Sequence, residues 1–283
     1  MKTILVTGSS GQLGQCFQKQ SKQFPNFQFL NCSSKELDIT SKKAVQQFFS
    51  DQKIDYCINT AAYTNVEQAE KEEEKAFLVN AEGAKNIAEV CKEHNSVLFH
   101  FSTDYVFNGK SRTPYLEADE VNPINIYGAS KLKGEEEIQS VSKQYFILRT
   151  SWLYSEFGHN FFRTILRKAE ENAELNITTS QIGTPTNAND LADYVLKIIQ
   201  SESKSFGLYH FSNEGEATWY DFAEEILKYS GKMGQVTLNK TGFFKTLAKR
   251  PEYSVLSKEK ITTRFEPVQD WKESLHRLID TMN

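Results

Sequence analysis

Cysteine is scarce in this chain. The four, Cys16, Cys32, Cys57 and Cys91, lie far apart and show none of the paired spacing that a zinc site uses. They fall in or beside apolar runs, which predicts reduced thiols with structural roles in a cytoplasmic protein. The five histidines are scattered, so no metal site is expected. No apolar run approaches the roughly 20 residues that a membrane span needs, and Met1 and Lys2 lead straight into a strand-like run with no leader-like segment between. Basic charge is not in surplus either. Lys and Arg number 33 against 37 Asp and Glu, a net charge of -4, which argues against a nucleic-acid partner.

What is present is an ordinary globular composition, 39% hydrophobic and 25% charged over 283 residues, enough for one sizeable core with an appended lobe. Residues 3–7, Thr-Ile-Leu-Val-Thr, have the apolar, β-branched character of a buried parallel strand. Gly8, Ser9, Ser10, Gly11, Gln12, Leu13 and Gly14 follow at once, and a helix-like spacing runs on to about Gln23. Strand, glycine turn and helix N-terminus are what a dinucleotide pyrophosphate requires: glycine permits close backbone approach, and free amides face the anion. The pattern is Gly-x-x-Gly-x-x-Gly rather than the more familiar Gly-x-Gly-x-x-Gly.

Phe27 to Asn31 read as a second strand, followed by Cys32, Ser33, Ser34 and Lys35. An acidic residue at such a strand end would select NAD. Hydroxyls and a lysine suit the 2'-phosphate of NADP, so NADPH is favoured, with NADH as the alternative. Asp38 is placed for the adenine edge, and Thr40 or Ser41 for capping the helix from Lys42 to Ser50. Ile54 to Thr60 form a third strand, after which the small residues Ala61 and Ala62, with Tyr63, leave room for a cofactor against the backbone. The charge-dense run Glu67 to Lys75 reads as a solvated helix start without function. Ala76 to Glu93 form a helix with a broad apolar face, and Asn80 within it is placed to reach the site. Val97 to Phe101 make the next strand, with Ser102, Thr103 and Asp104 just past its end. Tyr127 and Lys131, four apart after Pro123, share one face if helical, and an adjacent cation would lower the phenol from its usual value of about 10. Hydroxyl, phenol and ammonium behind a nucleotide loop suit acid–base chemistry on a carbonyl or alcohol.

These motifs resemble those of the extended short-chain dehydrogenase/reductases and, within them, the dTDP-4-dehydrorhamnose reductases. The matching stretches are VTGSSGQLG at 6–14, ELDIT at 36–40, NTAAYTNVEQAE at 59–70, FSTDYVFNG at 101–109, YGASKLKGE at 127–135, LRTSWLY at 148–154 and IGTPT at 182–186. The two that discriminate are STDYVFNG and LRTSWLY, because epimerases and dehydratases share the glycine loop and Tyr-x-x-x-Lys. The resemblance implies an α/β fold, a Rossmann-type doubly wound parallel sheet with a smaller C-terminal α/β substrate-binding domain. The cofactor domain would span 1–150, with a returning segment near 176–200, and the substrate lobe 151–283.

By the same resemblance Tyr127 is the proton donor, Lys131 its electrostatic partner and ribose ligand, and Thr103 the holder of the carbonyl oxygen. Gly11, Gln12 and Leu13 cradle the pyrophosphate, Asp38 and Ile39 the adenine, and Ala61 to Tyr63 the adenine ribose side. Asp104 and Trp152 contact a nucleotide sugar, with core packing the other reading of Trp152. Lys249 or Arg250 partners its phosphates, since guanidinium suits bidentate phosphate binding, or Arg250 is a surface charge. The implied reaction is hydride transfer to C4 of dTDP-4-dehydro-L-rhamnose. The alternatives are another nucleotide-sugar epimerase or reductase, or a non-catalytic NADP-binding regulatory subunit of the methionine adenosyltransferase type. Some members dimerise through magnesium held by carboxylates, one of them where this chain has Cys16, and a thiol does not suit a hard, oxygen-ligated ion. A monomer or weak homodimer is therefore expected.

Overall fold

The computed structural model describes residues 1–242 and 246–282. Its centre is a six-stranded parallel sheet in which β1 (Lys2–Thr7) is flanked by β2 (Phe27–Cys32) on one side and β3 (Tyr56–Asn59) on the other. Beyond β3 come β4 (Val97–Thr103), β5 (Tyr145–Thr150) and, at the edge, the strand Gly207–His210. The order in which strands are added to the sheet therefore reverses between β1 and β3. That switch point is where ligands of doubly wound sheets bind, outside the carboxyl ends of the strands.

The inner strands are buried on both faces, so they read as near-continuous apolar runs, and two clusters cover them. On one face α1 (Gln12–Gln20) and the helix Ala188–Gln200 pack over Ile4, Val6, Ile58 and Phe99. On the other, α2 (Lys42–Asp51), α5 (Gly83–Glu93) and α6 (Ile126–Val141) cover Leu5, Cys57, Leu98 and Ile147. All four cysteines are buried and unpaired.

Local side-chain chemistry sets the element boundaries, and the start of the long helix differs from the sequence expectation. Ser41 rather than Thr40 caps α2, its hydroxyl accepting from the Ala44 amide. After the short α3 (Val66–Ala69), the long helix starts at Glu73, not Ala76, as α4 (Glu73–Phe77), and passes through a π-turn at Leu78–Glu82 before α5. π-turns of this kind favour functional sites, and this one carries Asn80. Helix α6 begins at Ile126 because the Asn125 side chain caps the Gly128 amide at 2.7 Å.

After β5 the chain builds a third apolar cluster around Tyr154, Phe162, Phe222, Trp271 and Leu275, with two-stranded sheets beside it. The return to the central sheet differs from the range 176–200. Residues 174–178 pair with Thr237–Thr241, while the helix Ala188–Gln200 and the strand Gly207–His210 rejoin the large sheet. No helix among the described residues is long and apolar enough to cross a membrane.

Candidate active site

A cleft of about 510 Å³ opens at the switch point, between the carboxyl ends of the central strands and the third cluster. Its floor is the glycine turn. Gly8 has φ +63°, and a Cβ there would lie 2.6 Å from the Ala61 amide nitrogen; one at Gly14 would lie 2.6 Å from the Gly8 carbonyl. Only glycine lets the turn close so tightly against the segment after β3. Gly11, Gln12 and Leu13 line the cleft at the start of α1. Across the turn, the Asn160 amide donates to Gln12 Oε1 at 2.8 Å, coupling the loop to the second half of the chain.

Ala61 and Ala62 line the cleft, whereas Tyr63 turns outward onto Glu72 while its backbone N–H and C=O are both held by the Asn80 side chain. Asn80 Nδ2 also donates to Ser130 Oγ on α6 at 3.0 Å. It thus ties the cofactor side of the cleft to the helix carrying Tyr127, a structural link that its place in the sequence did not specify. Ser34 and Asp38 are exposed beyond the end of β2, and Asp38 Oδ1 is engaged by the Thr40 amide and hydroxyl. Ile39 is buried against Gly83. These three lie apart from the cleft lining.

Thr103, Asp104, Tyr127 and Lys131 all meet in the cleft. Thr103 ends β4, donates from Oγ1 to Asp104 Oδ1 at 3.0 Å and caps the turn Asp104–Val106. Burial pushes the Asp104 carboxyl up to about 6 against the hydrogen bonds it accepts, and its Oδ2 has no partner. The sequence expectation for the phenol does not hold in this state. Burial drives the Tyr127 pKa upward, with only the Thr103 hydroxyl opposing. Lys131 Nζ lies instead 3.3 Å from His100 Nε2, and burial lowers it to about 8. The reason is desolvation: Lys131 is buried and Tyr127 half-buried at the foot of the cleft, where charge is disfavoured on either. The buried hydroxyls of Ser102 and Thr150 line the same cleft without a protein partner, so both are available to a ligand there.

The far wall comes from the second half of the chain. Trp152, at φ 45°, stacks on Trp219 with centroids 3.7 Å apart and planes 9° from parallel. Nothing fits between the two rings, so they present one aromatic face to the cleft. Trp152 rests on Gly183, where a Cβ would lie 2.7 Å from its ring. Trp219, Phe161 and His159 were not singled out from sequence. The signal available was the capping box Thr218–Asp221, which fixes the start of a helix with Trp219 as its first residue.

Arg250 also lines the cleft, but it is not a free cation. Its guanidinium donates to Glu67 Oε1 at 2.8 Å, and Glu67 Oε2 accepts from the amides of Leu247 and Ala248. The acidic run read as functionless solvated charge therefore supplies the tether of this segment. The Lys249 carbonyl accepts from Asn125 Nδ2 at 2.8 Å, a second tie to the start of α6. Among the described residues no cluster of His, Cys, Asp and Glu could hold a metal ion. Cys16 is buried with its thiol pushed up to about 12.

The whole chain, residues 1–283, matches the model of the family described as RmlD substrate binding domain. It is 39% identical to the spore coat polysaccharide biosynthesis protein SpsK of Bacillus subtilis, covering 99% of this chain and 97% of the relative. It is also 39% identical to the dTDP-4-dehydrorhamnose reductase of Aggregatibacter actinomycetemcomitans, over 98% of each. The crystal structure of dTDP-4-dehydrorhamnose reductase from Bacillus anthracis in complex with NADP superposes with a TM-score of 0.95 at 36% identity, covering 99% of this chain and 100% of that one. Glycine turn, hydroxyl–phenol–ammonium set and full-length similarity converge, and the chain belongs to the RmlD substrate binding domain family.

Proposed function

We propose that this protein is an NADPH-dependent reductase that converts dTDP-4-dehydro-β-L-rhamnose to dTDP-L-rhamnose. One observation carries the reading: Thr103, Tyr127 and Lys131 converge in a single cleft between a glycine cradle and an aromatic wall. The cradle fits a dinucleotide, since backbone packing at Gly8 and Gly14 leaves no room for side chains and the start of α1 offers its amides. Gly11, Gln12, Leu13, Ala61 and Ala62 would hold the pyrophosphate and ribose, and Lys131 the second ribose. When bound, the cofactor supplies the hydride.

The chain's own residues do the rest. Thr103 Oγ1 holds the ketone oxygen, and Tyr127 O–H gives it a proton as charge develops there. Lys131 stabilises the phenolate left behind. The high phenol pKa of the free site suits a donor, because it keeps the proton on Tyr127 until the alkoxide forms. The Trp152–Trp219 face and Asp104 position the sugar, and Arg250 meets the diphosphate after releasing part of its hold on Glu67. In this reading the cofactor half spans 1–150 with a return over 188–210, the remainder forms the substrate lobe, and the protein acts in the cytoplasm as a monomer or weak homodimer. The test is NADPH oxidation with dTDP-4-dehydro-L-rhamnose generated in a coupled reaction. Wild type should consume NADPH and Tyr127→Phe should lose about 10²-fold or more. Absence of consumption despite NADPH binding would reject this substrate.

A further inference from the structure

A row of polar side chains crosses the buried face of the sheet behind Lys131. Thr7 on β1, Asn59 on β3 and His100 on β4 are register neighbours, each at most 1% exposed. Thr7 Oγ1 and Asn59 Oδ1 are 2.6 Å apart, Asn59 Nδ2 and His100 Nδ1 3.1 Å, and His100 Nε2 and Lys131 Nζ 3.3 Å. Every other position on this face at the same depth is apolar or small, so the three polar groups have to satisfy one another and Lys131. The row starts at the strand that leads into the glycine turn and ends on the cation of the proposed proton-delivery pair.

We infer that the Thr7–Asn59–His100 row is a tautomeric switch that follows the charge on Lys131, with His100 as its positioning residue. The inference rests on the reading of Tyr127 and Lys131 as the proton-delivering pair. An ammonium at Lys131 must donate to Nε2, which places the imidazole hydrogen on Nδ1, turns the Asn59 carbonyl toward it and sends the Asn59 amide to the Thr7 oxygen. A neutral amine is a better acceptor than donor. It is matched by hydrogen on Nε2, with Asn59 Nδ2 donating to Nδ1 and the Thr7 hydroxyl donating to Asn59 Oδ1. The amide can turn about its terminal torsion, and a hydroxyl both donates and accepts, so the three contacts of the row can be kept in either polarity. Proton balance is simple. Tyr127 gives its proton to the alkoxide, Lys131 reprotonates the phenolate and becomes the amine, and solvent returns a proton to Lys131 after product leaves.

The groups around the switch support a neutral imidazole throughout. His100 faces Lys131 from β4, and burial together with that cation holds it well below the ordinary histidine range. Glu135, on the same helix as Lys131, favours the ammonium, but Arg149 of β5 neutralises it at 2.7 Å. Tyr127 stands one turn back on α6, and the remaining members, Thr7 and Asn59, do not titrate. Asp104, raised to about 6 in the same cleft, does not touch the row, so Lys131 is the titrating group in contact with it and the row responds to its charge by changing polarity.

The test follows imidazole nitrogens by ¹⁵N NMR in the full-length protein saturated with NADP. His100 should move from the Nδ1–H to the Nε2–H tautomer as pH rises through about 8, where burial places Lys131, and it should stay neutral throughout the titration. Lys131→Met should remove the transition. In turnover, His100→Phe should lower kcat about tenfold and move its pH limb down by about one unit, because the ammonium loses more than the amine when its acceptor goes, with both KM values within about twofold. His100→Gln, whose amide can face Lys131 through oxygen or nitrogen, should recover to within about threefold of wild type. One fixed tautomer from pH 6 to 10 overturns the switch, as does an unchanged pH limb in a folded His100→Phe. Should His100→Phe fail to fold, the wild-type titration and His100→Gln decide the matter. A switch seen in a protein that does not reduce the rhamnose substrate would reject that substrate and leave the switch standing.

Discussion

The two walls of the cleft are built on different plans. The cofactor wall comes from consecutive strand ends of one parallel sheet, so its residues sit within a few positions of a strand terminus: Gly8 after β1, Ala61 after β3, Thr103 at the end of β4. The opposite wall is made of pairs that meet across long sequence distances, Trp152 with Trp219 and Glu67 with Arg250. Regular hydrogen-bonded geometry fixes the first, and side-chain packing fixes the second. Substitutions on the first wall should therefore act on folding and the chemical step, and those on the second on substrate affinity.

The largest expected effect is on the first plan. Glu135 of α6 is fully buried and takes Arg149 of β5 through Nε at 3.0 Å and Nη2 at 2.7 Å. The pair pins the helix that carries Tyr127 and Lys131 to the sheet. Glu135→Ala leaves a buried guanidinium without a partner, and chemical denaturation should show a loss of about 3–5 kcal/mol. A loss below about 1 kcal/mol would mean that water reaches Arg149 and the pair is not a clamp.

Next comes the aromatic wall. Gly183→Ala places a methyl group 2.7 Å from the Trp152 ring, so the stacked indoles must move. Overpacking of this kind costs about 1–3 kcal/mol. The substrate KM should rise severalfold while the NADPH KM stays fixed, which is the comparison at its sharpest. Equal changes in both constants would show that the walls are not independent.

Acid should weaken the edge of the sheet. His210, on its last strand, is held down to about 3, chiefly by burial and then by Arg149, with Nδ1 against the Tyr115 carbonyl at 3.1 Å. Between about pH 3 and 6.5 the unfolded chain binds a proton there that the folded chain refuses, so stability falls as pH falls. At pH 5.5 the loss from this residue is about 1.4 kcal/mol. The difference between wild type and His210→Phe isolates it from Asp104, whose raised carboxyl acts in the opposite direction. Equal pH slopes for the two proteins would refute the assignment.

Legibility in the sequence follows the same division. Strand runs, the glycine turn, Thr103, Tyr127 and Lys131 were readable because each depends on local periodicity or on a few residues beside a strand end. The charge state of Tyr127 was not, because burial outweighs the spacing that suggests a cation partner, and the lysine faces His100 across the sheet. Trp152 was legible as a candidate, but its partner Trp219 was not, since stacking across 67 positions leaves no periodic trace. Glu67 was misread because an acidic residue in a charge-rich run looks like any solvated helix face until Arg250, Leu247 and Ala248 are folded onto it.

Glu67 gives the finest probe of the second wall because its two oxygens do different work. Oε1 neutralises Arg250, and Oε2 accepts from two backbone amides. Glu67→Gln keeps an acceptor for the amides but removes the charge that competes with a diphosphate for Arg250, so the substrate KM should fall by up to about fivefold, roughly 1 kcal/mol. Glu67→Ala also releases residues 247–250, and there the KM should rise instead. The NADPH KM should not move in either variant. Opposite signs from the two substitutions would establish that the carboxylate both anchors the segment and holds Arg250 in reserve for phosphate; the same sign would reduce Glu67 to one role, a tether if both weaken binding and a counter-ion if both strengthen it.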